Sequence, residues 1–382
     1  MSLSALGEEL QDLKARGLFR KIRTLTDWRG TRARWEGEEL LLFCGNDYLG
    51  LSQNPSVIEA ASKALREYGV GAGAARLISG TTQLHTTLET QIARFKRKEN
   101  ALVFGAGYLA NLGALTALAG EKDLIVMDKL CHASLIDAAR LSGARLRIFL
   151  HKNYDKAREI LKNSTGFRRR VLVSDSVFSM DGDLADLSEL VRLKKGYDAV
   201  LLVDDAHGTG VLGREGRGAT EGFEKEIDVI TGTFSKAFGV FGGFAAASGT
   251  LVQHLVNTAR PFIFATAPPP SLMAAILESL RLISEAPALR EKLWQNVKKV
   301  QNFLTRQGVE TNPGSPIFPV LIGDEKEAVR ISETLLEKGI LLPAVRYPSV
   351  AKGKARLRLT VSAAHTDGDF EKLFRALEEV LP

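Results

Sequence analysis

The sequence predicts an α/β fold, with a mostly parallel sheet covered by helices in a large domain and a smaller C-terminal α+β domain after it. Three observations carry this expectation. Short apolar, β-branched runs alternate with helical stretches through the middle of the chain, the pattern of strands buried on both faces. After Pro268-Pro-Pro270 that rhythm gives way to long amphipathic helices mixed with short strands. The length of 382 residues suits one large domain with a lesser one.

The first 45 residues read as a helical and extended segment. Its basic residues Lys14, Arg16, Arg20, Lys21, Arg23, Arg29, Arg32 and Arg34 suit a solvated helix face. Residues 101–120 form a long uncharged run, which raises the question of a membrane span. Gly105, Gly107, Asn111, Gly113 and Gly120 make it strand, turn and buried helix instead. Runs 170–174, 199–203 and 227–231 read as buried parallel strands, with a helix around 187–195 between the first two. Helices over 272–283 and 289–304 come next, then a strand over 317–322 and a helix over 328–338. A strand over 355–361 and a helix over 369–380 complete the chain. The expected division is 1–45, a large domain 46–275 and a small domain 276–382.

Composition narrows the function classes. Hydrophobic residues make up 45% and charged residues 25%, an ordinary globular balance. Cys44 and Cys131 build neither a disulfide framework nor a metal-type spacing, so no metal and a reducing, cytoplasmic setting are expected. Glu8, Glu9, Asp12 and Lys14 interrupt any signal-peptide core. The net charge of +6 favours acidic partners. With no finger or aromatic-basic stripe, nucleic acid is not expected, and a phosphorylated small molecule fits better.

In open α/β sheets, ligands bind at the carboxyl ends of the strands. Three such ends carry polar residues that a simple core avoids: Ser174 through Asp183, Asp204-Asp205-Ala206-His207, and Thr233-Phe-Ser-Lys236. A lysine there can form a Schiff base with an aldehyde cofactor. An acid nearby holds a pyridine ring protonated, so that the ring withdraws electrons. Gly105-Ala-Gly107-Tyr108 ahead of a helix offers backbone N–H groups to a phosphate. Lysine, acid and glycine-rich helix start together describe a site for pyridoxal 5′-phosphate (PLP). Gly208-Thr-Gly210-Val-Leu-Gly213 also fits a dinucleotide fingerprint, but Arg214-Glu-Gly216-Arg-Gly218 continues it as a loop where a helix should open.

These residues resemble the α-oxoamine synthases, a family of fold-type I PLP enzymes. The blocks that carry the resemblance run in order along nearly the whole chain. They are Asn46-Asp-Tyr-Leu-Gly-Leu51, Arg76-Leu-Ile-Ser-Gly-Thr81, Asp128 through Ser134, Val177 through Asp183, Asp204 through Gly210, Thr233-Phe-Ser-Lys236 and Ala355 through Thr360. The resemblance implies Lys236 as Schiff-base lysine and general base, Asp204 on the pyridine nitrogen, His207 on the ring hydroxyl and His132 stacked on the ring. It implies Ser179 as a further cofactor contact, Gly107, Tyr108 and Thr233 around the phosphate, and Thr266 reaching it from the neighbouring subunit of a homodimer. It implies Arg358 on the substrate carboxylate and Asn46 lining the substrate site, with Arg20 assigned to the acyl-CoA, while His85 is read as structural. The family joins a small amino acid to an acyl-CoA with loss of carbon dioxide. Phe264-Ala-Thr266-Ala-Pro-Pro and Leu359 through His365 look most like its members that use L-alanine and pimeloyl-CoA. Relatives use glycine with acetyl- or succinyl-CoA, or serine with a long acyl-CoA. One departure is Ser174-Asp175-Ser176, where the family more often has Thr-Glu and a small residue.

Overall fold

The structure is a computed structural model that describes residues 3–311 and 314–381. It divides into two units. The larger comprises Asp47–Ser179 and Asp183–Lys292, and the smaller comprises Met1–Asn46, Met180–Gly182 and Leu293–Pro382.

A seven-stranded sheet organises the larger unit. Its strands lie in the order Asn100–Phe104, Gly243–Ala247, Val229–Thr233, Val200–Asp204, Arg170–Asp175, Leu124–Asp128 and Arg145–Phe149. The last five are mutually parallel, and Gly243–Ala247 runs antiparallel to both of its neighbours. Successive side chains point to opposite faces, so each central strand feeds two cores. Ile125, Met127, Val173 and Leu202 pack on one face with Ala114, Leu115 and Leu135. Val126, Leu172, Leu201 and Val203 pack on the other with Leu161, Leu187 and Leu190. Register aligns the strand ends: Asp175 pairs with Asp204, Asp204 with Thr231, and Gly243 with both Thr233 and Phe104. The polar residues that follow these strands therefore gather on one rim.

The observed elements follow the expected pattern closely over 170–204 and 270–380. The strand expected over 227–231 begins two residues later. Ile227 donates its N–H back to Phe223 in a turn, and Asp228 accepts from Leu201 N–H (2.7 Å) and Lys194 Nζ (2.8 Å). Helix Pro270–Glu285 belongs to the larger unit, so the division falls after residue 292 and not 275. Its apolar face, with Met273, Ile276, Leu280 and Ile283 buried, packs against Pro55–Tyr68 and Gln83–Phe95.

The smaller unit also takes in the N-terminal residues. Thr26–Arg29, Arg32–Trp35 and Glu38–Leu42 form an antiparallel meander that Ile340–Leu341 extends in parallel. Arg29, Arg32 and Arg34 thus sit on strands, not on the expected helix face. Arg32 pairs with Glu39 at 2.6 Å and with the buried Asp369. Ile317–Gly323, Ala355–Thr360 and Ala344–Val345 make a second antiparallel sheet. Among the described residues, no helix is long and apolar enough to cross a membrane, and no His/Cys/Asp/Glu group is arranged to hold a metal.

Candidate active site

Each polar residue on the rim is held by identifiable neighbours. Asp204 ends its strand with 7% of its surface exposed. Its Oδ1 accepts from Ala206 N–H (2.9 Å) and its Oδ2 from Asn111 Nδ2 (2.6 Å). In the turn that follows, His207 is buried and its Nδ1 lies 2.7 Å from the hydroxyl of Tyr48, which is itself fully buried. Lys236 is half-buried just beyond Val229–Thr233, between the buried Phe234 and Phe238.

His132 caps helix Ala133–Leu141, accepting from Ser134 N–H (3.3 Å), with Ser134 Oγ 2.7 Å from the same nitrogen. His132 thus has a structural role as a helix cap, yet the residue stays exposed, with Tyr108 edge-on at 6.3 Å. Partial desolvation lowers its pKa, and Lys236's charge adds to this against the pull of Asp204. Its backbone N–H donates to Asp175 Oδ1 (3.2 Å), so the shorter acid in the Ser174-Asp175-Ser176 block still reaches the histidine turn. Burial and the charge of Asp204 push the Asp175 carboxyl well above its ordinary range, against the His132 N–H and Lys236.

The part of the rim expected to meet a phosphate is built from backbone. Helix Gly107–Leu118 starts without a side-chain cap, which leaves its first N–H groups for an anion. Gly107 allows that helix start to close on the sheet, since a Cβ there would lie 2.8 Å from Thr233 Cβ. Thr233 donates its hydroxyl to Gly242 O (2.9 Å) and accepts Ser235 N–H (3.1 Å). Ser179 sits half-buried in the turn after Val177. Thr266 is exposed on a segment bridged to Ala75, and Tyr108 is exposed with its hydroxyl on Asp137. An uncapped helix start, a fixed acid, a lysine and an exposed imidazole fit the phosphate, ring nitrogen, aldehyde and ring face of PLP.

The fingerprint glycines have a different use. Residues 205–222 form turns with no helix, wrapped around a buried ion pair between Lys96 and Asp205. A Cβ on the fingerprint residue Gly208 would come within 2.2 Å of Asp205 Oδ1, and one on the following Gly218, at φ +105°, within 1.7 Å of Asp205 Oδ2. His85 is buried and structural, completing a capping box with Thr82 and bonding Pro268 O at 2.9 Å. In the smaller unit, Arg358 Nη2 donates to Asn46 Oδ1 (3.2 Å), and the exposed Arg20 reaches Ser349 Oγ at 3.5 Å.

Sequence reasoning assigned no role to Tyr48, Asn111, Ser134 or Thr231. Asn111 carried a signal, being a lone amide in the apolar Gly107–Leu118 helix. Tyr48 and Ser134 lay inside motif blocks, but His207 and Asn111, which they meet, lie 159 and 23 residues away.

A sheet of this topology with a lysine, an acid and an uncapped helix start on its rim defines a PLP-dependent enzyme of fold type I. The chain belongs to the aminotransferase class I and II family, whose model matches residues 38–377. It is 43% identical to the 8-amino-7-oxononanoate synthase of Geobacter sulfurreducens, covering 98% of this chain and 97% of that one. It is 44% identical to the protein of that name from Citrifermentans bemidjiense, covering 99% and 98%. Serine palmitoyltransferase from S. paucimobilis, solved with a bound PLP–myriocin aldimine, superposes with a TM-score of 0.93 at 30% identity, covering 98% and 96%. The α/β fold expected from the strand pattern is borne out, as are the family resemblance and PLP as the cofactor.

Proposed function

We propose that the chain condenses L-alanine with pimeloyl-CoA, giving 8-amino-7-oxononanoate, free CoA and carbon dioxide in biotin biosynthesis. The observation that carries this reading is the full-length identity of 43–44% to proteins named 8-amino-7-oxononanoate synthase from two organisms.

When bound, PLP supplies an electron sink for negative charge at the amino acid's α-carbon. Asp204, fixed by Asn111 and Ala206, holds a proton on the ring nitrogen and keeps that sink strong. His207, oriented by Tyr48, meets the ring hydroxyl, and Ser179 adds a further contact. His132 offers its exposed imidazole to the ring face. The N–H groups of Gly107 and Tyr108 take the phosphate with Thr233, and Thr266 reaches it across a homodimer. Arg358, steadied by Asn46, binds the amino acid's carboxylate through its planar guanidinium. Lys236 removes the α-proton and later returns one. Between those transfers a carbon–carbon bond forms to the acyl carbonyl, the CoA thiol leaves, and the α-carboxylate departs as carbon dioxide. Arg20 serves the acyl-CoA.

Exposed Val70, Ile78 and Phe264 flank the bridged Ala75–Thr266 segment and suit a subunit interface. The cytoplasm suits the free Cys44 and Cys131. The test is release of CoA thiol from matched amino acid and acyl-CoA pairs. L-alanine with pimeloyl-CoA should give the highest kcat/KM. Preference for glycine with acetyl-CoA, or for serine with a long acyl-CoA, would overturn the substrate assignment.

A further inference from the structure

Asn111 sits at the meeting point of three polar groups while 2% exposed. Its Nδ2 lies 2.6 Å from Asp204 Oδ2 and 2.9 Å from Ser134 Oγ, and its Oδ1 lies 2.6 Å from Thr231 Oγ1. Chemistry fixes which way the amide faces. An ionised carboxylate only accepts, so the NH₂ group must meet Asp204 and the oxygen must meet the Thr231 hydroxyl, which donates. The second N–H of Asn111 goes to Ser134 Oγ. That leaves the Ser134 proton for His132 Nδ1, 2.7 Å away, which also accepts Ser134 N–H at 3.3 Å. With two donors aimed at Nδ1, the proton of the neutral imidazole sits on Nε2.

We propose that Asn111 is a positioning residue of the cofactor site, whose one amide fixes the carboxylate of Asp204 and, through Ser134, the tautomer of His132. This rests on the PLP reading above. A single side chain thereby aligns the acid that meets the ring nitrogen and the imidazole that meets the ring face. Thr231 is the anchor of the device, because its hydroxyl donates to the amide oxygen and holds that end of the side chain, while the acceptor-only Asp204 keeps the amide from turning over. The ionisable groups acting on His132 are Asp204, Lys236 and Asp137, with Asp175 on its backbone N–H. A buried Asn serving packing alone would affect stability without setting a proton on a ring two hydrogen bonds away.

The test is ¹⁵N NMR of histidine-labelled protein with and without PLP, with His132 assigned by its absence in His132→Gln. Wild type should show an unprotonated Nδ1 and a protonated Nε2. Asn111→Ala should bring in the second tautomer and weaken PLP binding about tenfold, as loss of a hydrogen bond to a charged group does. Thr231→Val keeps the shape, removes only the anchoring hydroxyl, and should move both readouts in the same direction. It decides the matter if Asn111→Ala does not fold. An unchanged His132 tautomer in a folded variant overturns the proposal. Wild-type protein that binds no PLP would refute the cofactor reading instead, and the tautomer of the PLP-free protein would still judge Asn111.

Discussion

Replacing Lys96 with methionine should cost more stability than almost any other single change outside the apolar core. Lys96 Nζ lies 2.7 Å from Asp205 Oδ2, and both side chains have 0% exposure. The ammonium also serves Thr209 Oγ1 (2.7 Å) and the carbonyl of Arg217. Burial lowers the lysine's pKa, and Asp205 opposes that shift. Methionine fills much of the same volume but leaves the carboxylate with neutral donors only. These are Ser176 Oγ at 2.6 Å, Thr209 Oγ1 at 3.1 Å, Ala219 N–H at 3.2 Å and Thr220 Oγ1 at 3.3 Å. Breaking a buried pair on one side costs about 3–5 kcal/mol, because an uncompensated charge remains. Adding Asp205→Asn removes that charge, so the double variant should recover about 1–2 kcal/mol relative to Lys96→Met. The assay is urea unfolding at matched PLP concentration, since bound cofactor adds its own stabilisation. Asp205 lies between Asp204 and His207, so the turn 204–209 should lose hydrogen-exchange protection as well. A loss below about 1 kcal/mol for Lys96→Met would refute the reasoning.

His151 is clamped between Asp128 (3.2 Å from Nδ1) and Asp183 (3.0 Å from Nε2). Burial alone would lower its pKa, but hydrogen bonds and charge from the two acids outweigh it and raise the value to about 9. A raised pKa stabilises fully below the unfolded value near 6.5 and loses that contribution as pH climbs through 9. The stability gap between wild type and His151→Gln, read from urea midpoints, should therefore be larger at pH 6 than at pH 9.5, and a constant gap would contradict the clamp. Gly107→Ala places a Cβ 2.8 Å from Thr233 Cβ and 3.1 Å from its Oγ1, forcing the helix start away from the sheet. Such crowding costs about 1–3 kcal/mol, and PLP affinity by equilibrium dialysis should fall about tenfold or more.

What the sequence made legible follows from local physics. The strands at 170, 200 and 317 were readable because apolar, β-branched runs bounded by polar residues have few other uses. Gly243–Ala247 was not, because Gly-Phe-Ala-Ala-Ala lacks β-branched residues and owes its strand form to pairing on both edges. The N-terminal meander hid behind its arginines, although Glu36-Gly37, both at positive φ, forms the tight turn between two strands. Within the site, Lys236, Asp204 and His207 stood out as polar residues just past buried strands. Tyr48 and Asn111 did not, since their roles depend on partners 159 and 93 residues away in the chain.

The proposed reaction requires Lys236 to carry the cofactor. Borohydride reduction of the PLP-loaded protein, followed by proteolysis and mass spectrometry, would locate the attachment. The added mass of reduced PLP should appear on the peptide containing Lys236 and be lost in Lys236→Ala. Attachment at another lysine in the wild-type protein, or at none, would contradict that role for Lys236.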